Sequence, residues 1–391
     1  MGYRYGVLGG GRQGTAAAYD MARFGEADEV VIGDMNPEAA RRAADRVNAL
    51  LGRDVARGVK VDVTREGELV ELLEGLDSFL SAVPYWLNPQ IAKAAIKGRA
   101  SMCDLGGNTP LVFEQLKLDP RAKEAGISMI PDCGQVPGMG NSLAAYAMSL
   151  LDKPEDVFIW DGGIAQTPRP PFNYYLTFNI VGLTNEYYGT ANFIRDGKIV
   201  ELPTFTEDEY ERVEFPAPIG TLEAFVAGGG TSTAPWTYQG KIRTYQNKTL
   251  RYPGHFRQWK TLMDAGMLEE EPVDLGDGLK VSPRHVLHTV LEPKMQPLPD
   301  DKDLVIVRVK CLGEKDGQKA EAFVEVMDYF DETTGFTAME RTTGWHGSIV
   351  AILMARGETP RGAKPVEVAV PGGLFVSEMR KRGIPLTVKL T

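Results

Sequence analysis

Along the first 150 residues the apolar positions fall into two alternating periods. Tyr5, Val7 and Leu8 lie in a short apolar run that predicts a buried strand, and residues 15–24 are Ala-rich with helical spacing, stopped at Gly25. Residues 29–33 predict a second strand that ends at Asp34. Asn36 and Pro37 then read as a helix cap with Pro at the first helical position, and the helix over 38–51 stops at Gly52. Further strands are predicted over 59–63, 77–83, 100–105 and 127–132. The helices between and after them cover 66–73, 88–97, a segment opening at Thr109-Pro110, and 137–151. Strand and helix alternating this regularly predict an α/β fold with a parallel, doubly wound Rossmann sheet.

The texture changes near Lys153-Pro154. From Val157 to about Phe336 the segments VFIWDGGI, NYYLTFNI, KIRTYQNKTLRY, DLVIVRVKCL and AEAFVEVMDYF are rich in β-branched and aromatic residues. They predict a mainly antiparallel sheet, the last two segments forming a hairpin through a turn at 314–318. One helix is predicted inside this region, after Pro253-Gly254-His255, with Phe256, Trp259, Leu262 and Met263 on one face and Gly266 at its end. From Gly344 the pattern is helical again, over 348–355 and 374–382. The expectation is a Rossmann domain over 1–150 that is completed by 344–391. An α+β substrate-binding and dimerisation domain over 151–343 interrupts it.

Composition narrows the class. With 391 residues, 43% hydrophobic and 25% charged, the chain is long enough for two soluble globular domains. A net charge of -10 with no basic block argues against a nucleic-acid surface. No apolar run reaches membrane-span length, and the N-terminus lacks a signal-peptide layout. Cys103, Cys133 and Cys311 are far apart and odd in number, and four scattered histidines make no metal set. A cytoplasmic protein without a metal site is expected.

The chemistry begins at Gly9-Gly10-Gly11-Arg12-Gln13-Gly14, a G-x-G-x-x-G run between the first strand and the first helix. Gly9 suits the tight turn, Gly11 the approach of a pyrophosphate, and Gly14 the close packing of helix on strand. The helix start offers free N–H groups and the positive end of its dipole to phosphates. Asp34 lies 20 positions after Gly14, where an acid accepts hydrogen bonds from the ribose hydroxyls of NAD and repels the extra phosphate of NADP. NAD is therefore the expected cofactor, with Gly9, Gly11, Arg12, Gln13, Gly14 and Asp34 as contacts.

Ligands of such sheets lie beyond the carboxyl ends of the strands. Those ends carry Val83-Pro84-Tyr85-Trp86, Asp104-Leu105-Gly106-Gly107-Asn108 and Asp132-Cys133-Gly134. Val83, Pro84 and Gly106 are expected beside the cofactor. Asp104, Asp132 and Cys133 are the candidates for the proton transfer that accompanies hydride transfer, Cys133 only if its pKa is lowered. The structural alternative is that the two Asp residues cap turns and Cys133 packs as a small apolar group.

Four longer stretches carry a resemblance. SAVPYWLNPQIAKAAIKGRASMCDLGGNT (81–109), AKEAGISMIPDCGQVPGMGN (122–141), LRYPGHFRQWKTLMDAGM (250–267) and TTGWHGSIVAILMARGETPRGA (342–363), with the glycine fingerprint, resemble the saccharopine dehydrogenase/reductase superfamily. Within it the likeness is strongest to the L-lysine 6-dehydrogenases, through DLGGN and DCGQVPGMGN. It implies a Rossmann domain interrupted by a substrate domain, in a homodimer or higher homo-oligomer. The implied activity is NAD-dependent oxidation of the side-chain amine of L-lysine to allysine, which cyclises to piperideine-6-carboxylate, with release of ammonia. Saccharopine-forming relatives tend to carry an Arg in the segment corresponding to FVAGGGTST (225–233), where this chain has a small uncharged turn. For the substrate carboxylate the candidates are Arg243 and Arg251, with Thr231, Ser232, Tyr252 and His255 as further contacts. Two rival readings stand beside this one: reductive amination of the saccharopine or carboxynorspermidine type, and a nucleotide sensor without turnover.

Overall fold

The computed structural model describes residues 2–391. Its first sheet has the strands β1 (Tyr3–Leu8), β2 (Ala27–Asp34), β3 (Ala56–Lys60), β4 (Ser78–Ser81), β5 (Ser101–Asp104) and β6 (Ser128–Ile130). All run parallel, in spatial order β3-β2-β1-β4-β5-β6, and a seventh short strand, Gly362–Ala363, adds to β6 from the far end of the chain. The order reverses between β1 and β4, which opens a crevice at their carboxyl ends. β3 sits three residues earlier than its apolar pattern suggests. Val61 is buried beyond it, but pairing stops at Lys60, where β2 ends at Asp34.

The helix α1 (Arg12–Phe24) follows the glycine turn and is buried on nearly every side from Gly14 to Ala22. A helix apolar all round must be covered twice. The sheet covers one face, and the helix Trp345–Ala355, buried from Trp345 to Met354, covers the other. Asp20, in the middle of α1, fixes this arrangement. It accepts from Arg382 Nε at 2.8 and 2.9 Å and from the Ser348 hydroxyl, and Arg382 Nη1 also donates to Glu378 at 2.6 Å. Both Asp20 and Arg382 are fully buried.

The second sheet has nine strands and is mainly antiparallel. Its centre is the pair Lys153–Ala165 and Asp303–Lys315, with the hairpin partner Gln318–Tyr329 beyond. Thr244–Arg251 pairs with Lys153–Ala165 in parallel, the exception to the antiparallel pattern. The final strand, Leu386–Leu390, also joins this sheet, at the edge of Gln318–Tyr329. The returning C-terminus thus serves both sheets. Met139–Ser149 packs between them, and one continuous apolar core runs from β1 through this helix to Val305 and Val307.

Two expectations for this region need correction. NYYLTFNI is not a strand: Tyr174 and Phe178 pack into a core around Trp259 without joining a ladder. Asn179, near its end, accepts from Gly182 N–H at 2.7 Å and caps the helix Ile180–Tyr187. The region holds several helices rather than one, since Ala234–Tyr238 and Pro283–Met295 join the expected His255–Asp264. No helix among the described residues is long and apolar enough to cross a membrane.

The buried Asp20–Arg382 pair yields a test. Asp20→Ala leaves a buried guanidinium short of its partner and is expected to lower the unfolding free energy by about 3–5 kcal/mol. Asp20→Leu combined with Arg382→Met removes both charges and is expected to lose clearly less, as read by denaturant titration. Equal losses would show that the pair does not act as a unit.

Candidate active site

The glycine turn closes the end of β1 against β2 through a Gly9 N–H to Gly33 carbonyl bond of 2.7 Å. α1 then starts so close to this turn that a Cβ at Gly14 would lie 1.9 Å from the Gly9 carbonyl oxygen. At Gly11 a Cβ would meet nothing within 4 Å, so the space in front of the helix start is open. No side chain caps that start and no acid lies in its first turn. Its N–H groups are left for an anion. Asp34 stands at the rim, accepting from Gly10 N–H at 2.7 Å and Asn36 N–H at 2.8 Å. Gln13 Oε1 is buried without a partner, and Arg12 Nε donates to Glu340 at 2.8 Å. Val83, half-buried, and Pro84, exposed, follow the end of β4. This donor set and the open cradle fit a dinucleotide.

Next along the crevice, Asp104 ends β5 and Asp132 follows β6, both buried. Asp104 Oδ1 accepts from Gly106 N–H at 2.8 Å and from Asp132 N–H at 3.2 Å, while Oδ2 has no partner. Asp132 accepts from the Ser232 hydroxyl, and its other oxygen is unpartnered. That oxygen fills the place of a side chain at Gly106, whose φ of +76° and 2.1 Å clearance require glycine. Asp132 and Ser232 are both in the left-handed region, at φ 60° and 46°. Non-glycine residues held this way cluster at functional sites. Burial pushes Asp104 up to about 6. Burial, with the Asp104 charge beside it, pushes Asp132 up to about 8. The two carboxyls therefore hold one proton between them near neutral pH.

Cys133 lies in the apolar core, its thiol donating to the Ile130 carbonyl at 3.3 Å. Burial raises the thiol well above its ordinary value, the opposite of what a proton acceptor needs.

Beyond this loop lies a narrow, partly open pocket. Gln135 and Val136, in the segment after Asp132, line it together with Asp161, Asn247 and Arg251 from strands of the second sheet and Glu186 from the helix Ile180–Tyr187. Arg251 is 3% exposed. It is held by a chain of bonds: Arg251 Nε donates to the Tyr187 hydroxyl at 2.9 Å, which donates to His255 Nε2 at 2.8 Å. His255 Nδ1 in turn donates to the Phe172 carbonyl at 2.9 Å. Burial, then the Arg251 charge, keeps this histidine neutral.

Of the expected substrate contacts, Arg251 alone lines the pocket. His255 stands behind it with both ring nitrogens engaged. Arg243 is an outer strand-end residue, its side chain 59% exposed and paired with Asp156 through Nε at 2.9 Å. Tyr252 donates to the Ala165 carbonyl at 2.8 Å and packs in a separate apolar cluster. Thr231 donates to the Asn192 carbonyl at 2.8 Å, and Ser232 is engaged by Asp132. Asp161, Glu186, Asn247 and Gln135 were not singled out from sequence. Period-2 spacing of Asp161 in VFIWDGGI was the available signal, since a charged residue on the inward face of a buried strand needs a reason.

The raised Asp132 gives a stability test. Its unfolded value is near 3.9, so between about pH 4 and 8 the folded state keeps a proton that the unfolded state releases, and stability falls as pH rises through that window. Asp132→Asn keeps the shape and removes the titration. It is expected to raise the unfolding free energy at pH 8 by more than about 1.4 kcal/mol, the value of one pKa unit, and by less at pH 5. Denaturant midpoints at the two pH values check this, and a variant less stable at pH 8 would contradict it.

Comparison with known proteins agrees with the architecture. Residues 6–130 match the saccharopine dehydrogenase NADP binding domain, and residues 134–384 match the saccharopine dehydrogenase C-terminal domain. A Saccharomyces cerevisiae protein, saccharopine dehydrogenase [NADP(+), L-glutamate-forming], is 25% identical over 61% of this chain and 54% of its own. Carboxynorspermidine synthase of Vibrio cholerae is 24% identical over 74% of this chain and 72% of its own. The chain thus spans about half the length of the yeast relative, and matches 23% of the alpha-aminoadipic semialdehyde synthase of Rattus norvegicus. The solved apo saccharopine dehydrogenase (L-Glu forming) of Saccharomyces cerevisiae superposes over the whole of both chains with a TM-score of 0.78 at 19% identity, which shows the shared fold. With both family domains matched in order across nearly its whole length, the chain belongs to the saccharopine dehydrogenase family.

Proposed function

We propose that the protein oxidises the side-chain amine of a basic amino acid, L-lysine first, with NAD as acceptor. The observation that carries this is Arg251, a buried guanidinium with no ion-pair partner among the described residues, in a pocket it shares with Gln135 and Val136 of the segment that follows Asp132. A buried charge left unpaired is costly. A substrate carboxylate bound bidentately would offset that cost. Tyr187 and His255 hold the guanidinium in place for it. Asp104 and Asp132 shape the Gly106 loop against which the reacting carbon would lie.

When bound, the nucleotide supplies the hydride acceptor. The substrate amine has a free pKa of about 10.4 and must lose a proton before its carbon releases hydride. The resulting iminium adds water and releases ammonia, and the aldehyde closes onto its own α-amine.

A second reading is reductive amination, favoured by the Vibrio cholerae carboxynorspermidine synthase, which matches over most of both chains. Saccharopine fits less well. It has three carboxylates, whereas Arg251 is the one cation among the described lining residues and Asp161 and Glu186 would repel the others.

Separate incubations with NAD and lysine, ornithine, a diamine or saccharopine, followed by absorbance of the reduced nucleotide, test the assignment. Lysine is expected to give the highest kcat/KM. No reduction with any amine, but nucleotide oxidation with an aldehyde and a diamine, would favour the second reading. Because Asp34 stands at the ribose rim, NAD is expected over NADP by at least about 1.4 kcal/mol, a tenfold preference. Asp34→Ser is expected to erode that preference without loss of fold, and equal use of NADP by the unaltered protein would contradict it.

A further inference from the structure

Three charged side chains from three different elements line the pocket, and none is ion-paired among the described residues. Asp161 comes from the strand Lys153–Ala165, Glu186 from the helix Ile180–Tyr187, and Arg251 from the strand Thr244–Arg251. Asp161 accepts from Asn247 Nδ2 at 2.7 Å. The Glu186 carboxylate has no hydrogen-bond donor among the described residues. Gln135, only 8% exposed, also lines the pocket, and its Nε2 has no hydrogen-bond partner. Buried polar atoms are almost always paired, so the unpartnered Gln135 Nε2 beside three charges that form no ion pair marks where a polar ligand belongs.

The signs of the charges define that ligand. Above about pH 8, where Glu186 has lost its proton, one cation and two anions complement a molecule with one carboxylate and two amines. We infer that Asp161 and Glu186 form the subsite for the substrate's ammonium groups, and that Glu186 accepts the proton of the side-chain amine. The inference rests on the reading above that Arg251 takes the carboxylate. In the step itself an N–H bond of R–CH2–NH3+ breaks, its electron pair stays on nitrogen, and the proton forms an O–H bond on Glu186. Ammonium becomes amine and carboxylate becomes acid, and no electrons leave either molecule.

Glu186 rather than Asp161 has this role because its oxygens are uncommitted, whereas Asp161 is held by Asn247. The groups facing Glu186 are Arg251 and Asp161 from the two strands and the phenols of Tyr174 and Tyr187. Burial pushes Glu186 up to about 8, against the pull of Arg251, and pushes Asp161 up to about 6. A base near the operating pH is the effective kind.

The test compares L-lysine with L-norleucine, which lacks the side-chain amine, by calorimetric titration of the full chain. The unaltered protein is expected to bind lysine at least tenfold tighter, and Glu186→Gln to lose most of that ratio while keeping its NAD affinity. In turnover, Glu186→Gln is expected to lower kcat by about 10²-fold or more and to abolish the rise of kcat/KM near pH 8. Asp161→Asn is expected to weaken lysine binding yet keep that rise. An unchanged ratio in Glu186→Gln, equal binding of norleucine and lysine, or no binding of either would overturn the inference. Should Glu186→Gln lose NAD binding, Glu186→Asp replaces it: lowered kcat with retained discrimination supports the role, and unchanged kcat overturns it. Lysine bound with discrimination but never oxidised would sink the dehydrogenase reading and leave the amine subsite standing. Full lysine turnover by Glu186→Gln would do the reverse.

Discussion

The closeness of α1 to the backbone around it is the constraint on which the rest of the structure depends. At Gly14 there is no room for a side chain between the helix and the Gly9 carbonyl, and at Gly344 the returning chain approaches so closely that a Cβ would lie 2.7 Å from the Gln13 carbonyl oxygen. The alanines of α1 allow contact on both sides. Because the helix is pressed from two directions, its first turn is fixed relative to β1, and with it the open space in front of Gly11. The buried Asp20–Arg382 pair supplies the orientation that apolar contact alone does not, since charge pairs specify geometry where methyl groups are interchangeable. A C-terminal segment more than 300 residues away in sequence thereby holds the helix whose first turn follows the glycine run.

From that fixed point the site divides into two electrostatic zones. Around β5 and β6 the carboxyls of Asp104 and Asp132 accept from the backbone and from Ser232, and they support the Gly106 loop from beneath. Across the crevice, Asp161, Glu186 and Arg251 face one pocket without pairing. The first zone shapes the Gly106 loop while leaving one oxygen of each carboxyl unpartnered. The second brings one cation and two acids to one pocket without an ion pair, and their charges select what can enter. The continuous core through Met139–Ser149 couples the two zones, so the pocket walls are set by the same packing that sets the nucleotide loop.

Much of this was legible in the sequence because local signals and tertiary demands agreed. The glycine run, the Asn36 cap with Pro37 and the strand-end residues of the first sheet all report backbone conformations that few other residues allow. The second sheet was less legible. NYYLTFNI has strand composition, yet Tyr174 and Phe178 are needed in a core around Trp259, and Asn179 starts a helix instead. The hairpin Thr190–Arg195/Lys198–Pro203 turns at Asp196-Gly197, with φ 49° and 75°, a readable signal that was passed over. The site failed in a different way. Arg243 and Arg251 look alike in sequence, and only the sheet register shows one taken by Asp156 at an outer edge and the other buried in the pocket. Glu186 and Asp161 come together from separate elements, and no local spacing links them.

The central claim is that hydride leaves the carbon bearing the side-chain amine and reaches a pyridine nucleotide held at the Gly11 cradle. Lysine carrying deuterium at C6 tests it most directly, with mass spectrometry of the reduced nucleotide as the readout. The account predicts one deuterium per reduced nucleotide from this substrate and none from lysine deuterated at the α-carbon. Label transferred from the α-carbon, or reduced nucleotide without label from the C6-deuterated substrate, would contradict it.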